Sequence, residues 1–293
     1  MKKMKHLSVM VICMGFITLA NAQEKEVVIK IDTLSQDVYM LTGQGGNIGI
    51  YVGESNVFMI DDQFARLSNK IKSAIATLTD QPISFLFNTH MHGDHTGGNA
   101  EFNSKQTTVV AHDNVRKSLE DRLAKNQKLN KKILPEVSFS DDITFYDGDE
   151  TIMAFHVHDA HTDGDAMVYF LKNNVLHMGD TYFSGRYPYI DLKSGGTVDG
   201  YIKAHKKALL LINEETKIIP GHGKSSNKKE LESYVIILED IKLKILKEIQ
   251  RGRTLEEVKK NTNLLSAYDA THGGGYIGPE RIREIFYNSL KND

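Results

Sequence analysis

His90, His92 and His95 fall within six residues, with Asp94 among them, in the run THMHGDHTGGN at 89–99. The chain has only 12 histidines in 293 residues, so the cluster calls for a chemical reason. Imidazole nitrogens and carboxylate oxygens are what a catalytic zinc takes while keeping one coordination position for water. Residues two apart in extended chain share a face, so His90 and His92 can point the same way. Asp94 and His95 then sit one step further round the turn. Glycines at 93, 97 and 98 allow tight backbone and the close approach of a helix N-terminus. Four candidate ligands in one short loop exceed what a single tetrahedral ion needs, which suggests two metals.

The remaining ligands must come from other strand ends, where open sheets tend to bind their ligands. Three candidates stand at such positions: His161 in DAHTDGD, Asp180 in VLHMGDTYF and His222 in KIIPGHG. Their placement rests on the elements around them. Strands are expected at 27–31 and 37–42, and a hairpin at 46–53 and 56–61 turns at Glu54-Ser55. Leu67, Ile71, Ile75 and Leu78 recur at helical spacing and predict a helix over 66–79. The apolar run ISFLF, 83–87, predicts a buried strand leading straight into the histidine loop, and a helix is expected from near Gly97. A strand at 107–111 and a helix from Asp113 complete a first half.

A second half is expected from near Pro135, with strands around 143–146, 150–157, 166–171 and 174–178. A helix at 199–213, a strand at 217–220 and helices at 228–250 and 279–290 follow. Hairpin-paired strands alternating with helices in two similar halves predict an α/β fold arranged as an α/β/β/α sandwich. Residues 23–293 read as one domain with a helical C-terminal segment from about 226.

The N-terminus has Lys2, Lys3 and Lys5, an apolar stretch from Leu7 to Ala20, and Ala20-Asn21-Ala22. This is the pattern of a secretory signal peptide cut after Ala22, and it predicts a periplasmic or secreted product. The apolar stretch is short for a membrane anchor. Cleavage would remove three lysines and no acid, taking the net charge from −2 to −5. A mildly acidic chain without basic runs argues against nucleic acid or an anionic membrane as partner, and for a small-molecule substrate. Cys13, the sole cysteine, leaves with the leader, so no disulfide or thiolate is expected in the mature chain. Any metal must be held by histidines and carboxylates.

HMHGDH, AHTDGD, the Gly179-Asp180 pair and PGHG, in that order, resemble the metallo-β-lactamase superfamily over roughly 27–225. The resemblance implies a four-layer αβ/βα sandwich with its metals at one edge between the sheets. It implies that His90, His92 and His161 hold one ion, that Asp94, His95 and His222 hold another, and that Asp180 bridges them. The cofactors so implied are two Zn²⁺ per chain, with iron or manganese compatible with the same ligands. The implied chemistry is hydrolysis of an ester, thioester, lactone or amide by a metal-bridging hydroxide, with Asp94 orienting the nucleophile and passing on its proton.

Asp180 is a departure from the zinc β-lactamases, which usually carry Cys or Ser at that step. It resembles the glyoxalase II, lactonase and alkylsulfatase branches instead. The lactonases use a tyrosine three positions after the bridging Asp, where this chain has Phe183. Three other activities stay in view: a periplasmic β-lactamase, an iron-dependent persulfide dioxygenase, which would need fewer ligands, and a non-catalytic zinc-binding protein.

Other residues carry less specific signals. His156 and His158 alternate on one strand and are expected to serve that strand's face or support the site. His112 and His177 end strands beside it, and His205 lies on a helix, at its surface or in the core. His272 begins a glycine-rich stretch that either folds over the site or is structural. The family commonly places an acid where Asp61 and Asp62 end a strand, supporting a metal-bound histidine, and Asp61 is the preferred candidate. The segment 181–196 offers Tyr182, Tyr187, Tyr189 and Arg186 as a substrate wall. The long helix reads as a solvated outer helix.

Overall fold

The structure, a computed structural model, describes residues 26–291; the leader reading of residues 1–22 lies outside them. Seven strands form the first sheet in sequential order: β1 (Lys30–Thr33), β2 (Val38–Thr42), β3 (Ile48–Val52), β4 (Val57–Ile60), β5 (Ile83–Asn88), β6 (Thr108–His112) and β7 (Val137–Phe139). β1 to β4 pair antiparallel, and β4 to β7 run parallel. The second sheet contains β8 (Asp142–Asp147), β9 (Glu150–His156), β10 (Ala166–Phe170), β11 (Val175–Phe183), β12 (Lys217–His222) and β13 (Ser226–Asn227). Its spatial order is β13-β12-β11-β10-β9-β8. β11 and β12 are its parallel pair.

The helices are α1 (Ser68–Ile75), the single turns α2 (Gly93–Thr96) and α3 (Asn99–Phe102), α4 (Asp113–Lys125), α5 (Val198–Leu211), α6 (Lys228–Gln250), α7 (Leu255–Lys260), α8 (Ser266–His272) and α9 (Pro279–Lys291). Period-2 alternation sends Val38, Met40, Phe58, Ile60, Phe87 and Val110 inward from the first sheet. There they meet Ile152, Ala154, Val168, Phe170 and Ile219 of the second. The outer face of the first sheet buries Ile50, Met59 and Leu86 under Ile71 and Ile75 of α1. The outer face of the second buries Met167, Leu176 and Ile218 under α5, α6 and α9. This is the expected four-layer αβ/βα sandwich.

Several boundaries differ from the sequence reading. The second half does not begin at Pro135, because β7 pairs with β6 and closes the first sheet. Three residues of alternating character gave no periodicity to detect. The helix over 66–79 shortens to α1 because a 3-10 turn, Ala65–Leu67, precedes it. The helix expected from Gly97 starts at Gly93 and breaks into two single turns. β11 runs to Phe183, well beyond 178, so Asp180 lies within a strand that bulges there. Gly179 allows this at φ +52, and any Cβ on it would strike the Thr89 side chain.

The parallel pairs put the carboxyl ends of β5, β6 and β12 at one edge. Backbone bonds sew the two sheets together there: Ala166 N–H donates to the Thr89 carbonyl at 2.8 Å, and Asn47 N–H to that of Gly221 at 2.7 Å. Among the described residues no helix is long and apolar enough to cross a membrane.

Candidate metal centre

All seven residues singled out in the sequence meet at this edge. They form two groups, His90–His92–His161–Asp180 and Asp94–His95–His222, and within each group the ligand atoms lie within 4.8 Å of one another. Asp180 spans the two. Its Oδ2 is 3.8 Å from His90 Nε2 and 3.6 Å from His161 Nε2. Its Oδ1 is 3.1 Å from His95 Nε2 and 3.3 Å from His222 Nε2. Asp94 Oδ2 lies 3.3 Å from His222 Nε2 and 3.7 Å from His95 Nε2. A tetrahedral ion with nitrogen ligands at 2.0–2.1 Å sets its ligand atoms about 3.3 Å apart. The spacing therefore fits cations of that size.

The hydrogen bonds on the far side of each imidazole fix which nitrogen faces inward. His161 Nδ1 lies 2.7 Å from the Tyr189 carbonyl, which can only accept, so Nδ1 carries the proton and Nε2 a lone pair. His95 Nδ1 donates to Asp61 Oδ2 at 2.7 Å. His92 Nε2 donates to Asp191 Oδ2 at 3.0 Å, leaving Nδ1 free. Thr89 N–H and its hydroxyl both donate to Asp61, so the hydroxyl oxygen accepts from His90 Nδ1 at 3.0 Å. Four imidazoles thus turn their second ring nitrogen toward one place. His161 Nε2 and His92 Nδ1 face each other at 2.8 Å, two lone pairs that only a shared cation or proton reconciles. His90 Nε2 and Asp180 Oδ1 are buried without a hydrogen-bond partner. Orphaned buried acceptors are costly unless a cation takes them.

The electrostatics divide the imidazoles into two kinds. Burial, and then the neighbouring His95, hold His90 well below the usual imidazole range, and burial brings His161 down to about 4. Both are neutral and ready to ligate at pH 7. Burial alone would raise the Asp180 carboxyl, but His222 and His95 outweigh it and hold the group well below the usual carboxylate range. For Asp94, too, burial opposes ionisation, and the hydrogen bond with His222 prevails. Burial would lower His95 and His222, but Asp180, joined at His95 by Asp61, outweighs it, holding His95 well above the ordinary imidazole range and bringing His222 up to about 9. A divalent cation would take the place of those protons between the imidazoles and the ionised carboxylates.

Sequence reasoning missed several supports. Asp191, in the segment read as a substrate wall, holds His92; only the path of the loop reveals it. The hydrogen bond from His92, ahead of that from Ser194, keeps its carboxyl well below its ordinary range. Asp165 accepts from His161 N–H at 2.6 Å and from the Thr162 N–H and hydroxyl. Of the two acids ending β4, Asp61 supports His95, while Asp62 accepts from Gly98 N–H at 2.7 Å and fixes the start of α3. A Cβ on Gly221 would collide with Asp180 Oδ1, so glycine is required there for the carboxylate to fit.

The other histidines lie outside the two groups. His112 stacks on His156 with centroids 3.9 Å apart, and the exposed His158 meets His156 edge-on. His158→Ala is therefore expected to leave metal content unchanged by elemental analysis; loss of metal would mean that the ligand group around His161 is wrongly drawn. His177 is buried between the sheets.

His205 is fully buried among Tyr182, Tyr201 and Tyr234, and burial brings it down to about 4. The unfolded chain therefore takes up a proton near pH 6.5 that the folded chain refuses until about 4. The stability this group supports is present above 6.5 and lost as pH falls. His205→Phe should accordingly gain on the wild type by up to about 3 kcal/mol between pH 7 and 4. Urea unfolding at the two pH values measures this, and a constant difference would refute it.

Beside the two groups lies a cleft of about 580 Å³, floored by Asp94, Asp180 and His222 and walled by Phe183, Tyr187 and Tyr189. Phe183 stacks on His222 and Tyr189 on His92. The 181–196 segment thus does supply a wall, although Tyr182 points into the core.

Comparison with known proteins gives a consistent set of similarities. The family model described as "Metallo-beta-lactamase superfamily" matches residues 41–222. A hydroxyacylglutathione hydrolase of Pelagibacter ubique is 28% identical over 161 residues, 53% of this chain and 58% of that relative, so the match spans little more than half the relative's length. A metallo-β-lactamase of Pontibacter korlensis has a similar structure, with TM-score 0.61 at 18% identity, covering 72% of this chain and 99% of its own. A sec-alkyl sulfatase variant reaches TM-score 0.72 at 13% identity, over 89% of this chain and 50% of its own.

Proposed function

The chain is a metallo-hydrolase of the metallo-β-lactamase superfamily, and from that premise we propose an exported enzyme with two zinc ions that hydrolyses an ester or thioester, with lactones and amides as related substrates. The observation that carries this reading is Asp180, which directs one carboxylate oxygen to each ligand group. His90, His92 and His161 would hold one ion and Asp94, His95 and His222 the other. When bound, such a pair lowers the pKa of a shared water towards neutrality and polarises the electrophile.

The protein supplies the rest. Asp61, Asp191, Thr89 and the Tyr189 carbonyl hold the imidazoles in the tautomers that ligate. Asp94, partly exposed on the cleft floor, is ionised and placed to orient the attacking water and take its proton on Oδ1, the oxygen turned away from His95 and His222. Phe183, Tyr187 and Tyr189 keep bulk water from one side of the cleft. The likeness to a hydroxyacylglutathione hydrolase supports the thioester reading. The complete Asp94–His95–His222 group favours two-metal hydrolysis over persulfide oxidation at a single iron, and its opening to a cleft favours catalysis over zinc storage.

The test is turnover of an S-acylglutathione, an aryl ester, a lactone and a chromogenic cephalosporin by the protein before and after chelation and zinc restoration. The reading requires kcat/KM above about 10⁴ M⁻¹s⁻¹ on a thioester or ester, lost on chelation and restored by zinc. Rates no higher than those of Asp94→Asn on every substrate would overturn it. A high rate on the cephalosporin alone would make the protein a β-lactamase.

A further inference from the structure

The turn between β2 and β3, residues 43–47, carries none of the seven ligands, yet it bears on every member of the Asp94–His95–His222 group. Gly46 N–H donates to the Asp94 carbonyl at 3.1 Å. A Cβ on Gly46 would stand inside the His95 ring, against Cε1 and both nitrogens. Gly46 does not have positive φ, so its backbone conformation does not demand glycine; the space taken by the imidazole does. Asn47 is buried and holds the stretch that carries His222. Its backbone N–H donates to the Gly221 carbonyl at 2.7 Å, and its side-chain amide to the carbonyls of Pro220 at 2.8 Å and Gly223 at 3.0 Å. A carbonyl can only accept, so the amide nitrogen must be the end that faces both.

The turn is itself tied down. The buried Gln63 donates to the Gly46 carbonyl at 2.7 Å and accepts from Gln44 N–H at 3.3 Å. The other ligand group draws on different elements. His90, His92 and His161 are held by Thr89, Asp191 and the Tyr189 carbonyl, none of which lies in this turn. The two groups share Asp180 but stand on separate supports.

We infer that Gly46 and Asn47 are positioning residues for the Asp94–His95–His222 group, and that this turn sets whether the chain holds two ions or one. Asn47→Asp keeps the size of the side chain but faces two carbonyls with oxygen in place of a donor, which frees the backbone on both sides of His222. Gly46→Ala drives the His95 ring out of the place where Asp61 holds it. That the groups take metal rests on the two-ion reading above; the seating of the His222 backbone by Asn47 does not.

The experiment is zinc titration against a chromogenic chelator, calibrated by elemental analysis, with amide hydrogen exchange on the metal-free proteins. The proteins are the wild type, Asn47→Asp, Gly46→Ala and, as control, Asn103→Ala. Asn103 is also buried and donates from its amide to the Lys132 carbonyl and to Glu136, so its loss removes hydrogen bonds without touching a ligand. The wild type and Asn103→Ala should take up two ions. Asn47→Asp and Gly46→Ala should keep one and bind the second roughly 10- to 100-fold more weakly, the range for removing a support behind a metal ligand. Exchange at 221–224 should quicken in Asn47→Asp and not in Asn103→Ala. Wild-type affinity for both ions in either variant would remove that residue from the role, and parallel loss of both ions would overturn the separate support of the two groups. Unchanged exchange at 221–224 in Asn47→Asp would overturn the seating of His222 whatever the metal content. A wild type that takes up a single ion would sink the two-ion reading, and faster exchange in Asn47→Asp would leave the seating standing.

Discussion

Asp180→Ala should lower bound metal from about two ions per chain to one or fewer, and hydrolysis by a factor on the order of 10³ or more. Its carboxylate is buried, ionised and within 3.1–3.8 Å of four imidazole nitrogens from two separate groups. Alanine would remove the one negative charge common to both groups and leave those nitrogens facing a void. Gly221 presses on the carboxylate from behind and has no side chain to fill that void. Asp180→Asn, which keeps the shape and removes the charge, should fall between the two. Elemental analysis after dialysis against zinc measures the effect, and an unchanged stoichiometry would refute the bridging role.

Asp61→Asn should weaken metal binding by roughly 10- to 100-fold, the usual cost of removing an outer carboxylate from a ligating histidine. Asp61 sits at φ +62, a conformation that Asn tolerates, so the backbone should persist. What changes is the inventory of acceptors. The two carboxylate oxygens take hydrogen bonds from Thr89 N–H, Thr89 hydroxyl and His95 Nδ1–H. An amide has one oxygen and two donors, so it cannot accept all three. If its nitrogen takes the place of Oδ2, it faces both His95 Nδ1 and the Thr89 hydroxyl: His95 must then carry its proton on Nε2, and the hydroxyl is free to donate to His90, so both rings lose the lone pair they turn to their groups. If its nitrogen takes the place of Oδ1, it meets the Thr89 N–H, donor against donor, and that buried hydrogen bond is lost. One buried acid therefore sets tautomers in both groups. Competition titration against a chelator reads the affinity; wild-type affinity in Asp61→Asn would show that the tautomers are held by other means.

The candidate ligands could be singled out because their chemistry is local. Three histidines and an acid in one turn, and three more candidate ligands after apolar runs, Asp180 and His222 beside a glycine, need no knowledge of the tertiary path. The strands of the central layers were equally legible, since ISFLF is a short apolar run of a strand paired in parallel on both sides. β7, β13 and the short helices α7 and α8 were not, because two to seven residues give too little period to detect. The supports were hidden for a different reason. Asp191 reaches His92, 99 positions away in the chain, only because the loop after β11 doubles back past His161. The separate roles of Asp61 and Asp62, adjacent in sequence, follow from a positive φ that turns their side chains apart.

The most direct test of a paired-metal hydrolytic centre is an anomalous difference map at the zinc edge from crystals of the zinc-loaded protein. The account predicts two peaks about 3.5–4 Å apart, one on each side of the Asp180 carboxylate. A single peak, or two that do not flank Asp180, would contradict it.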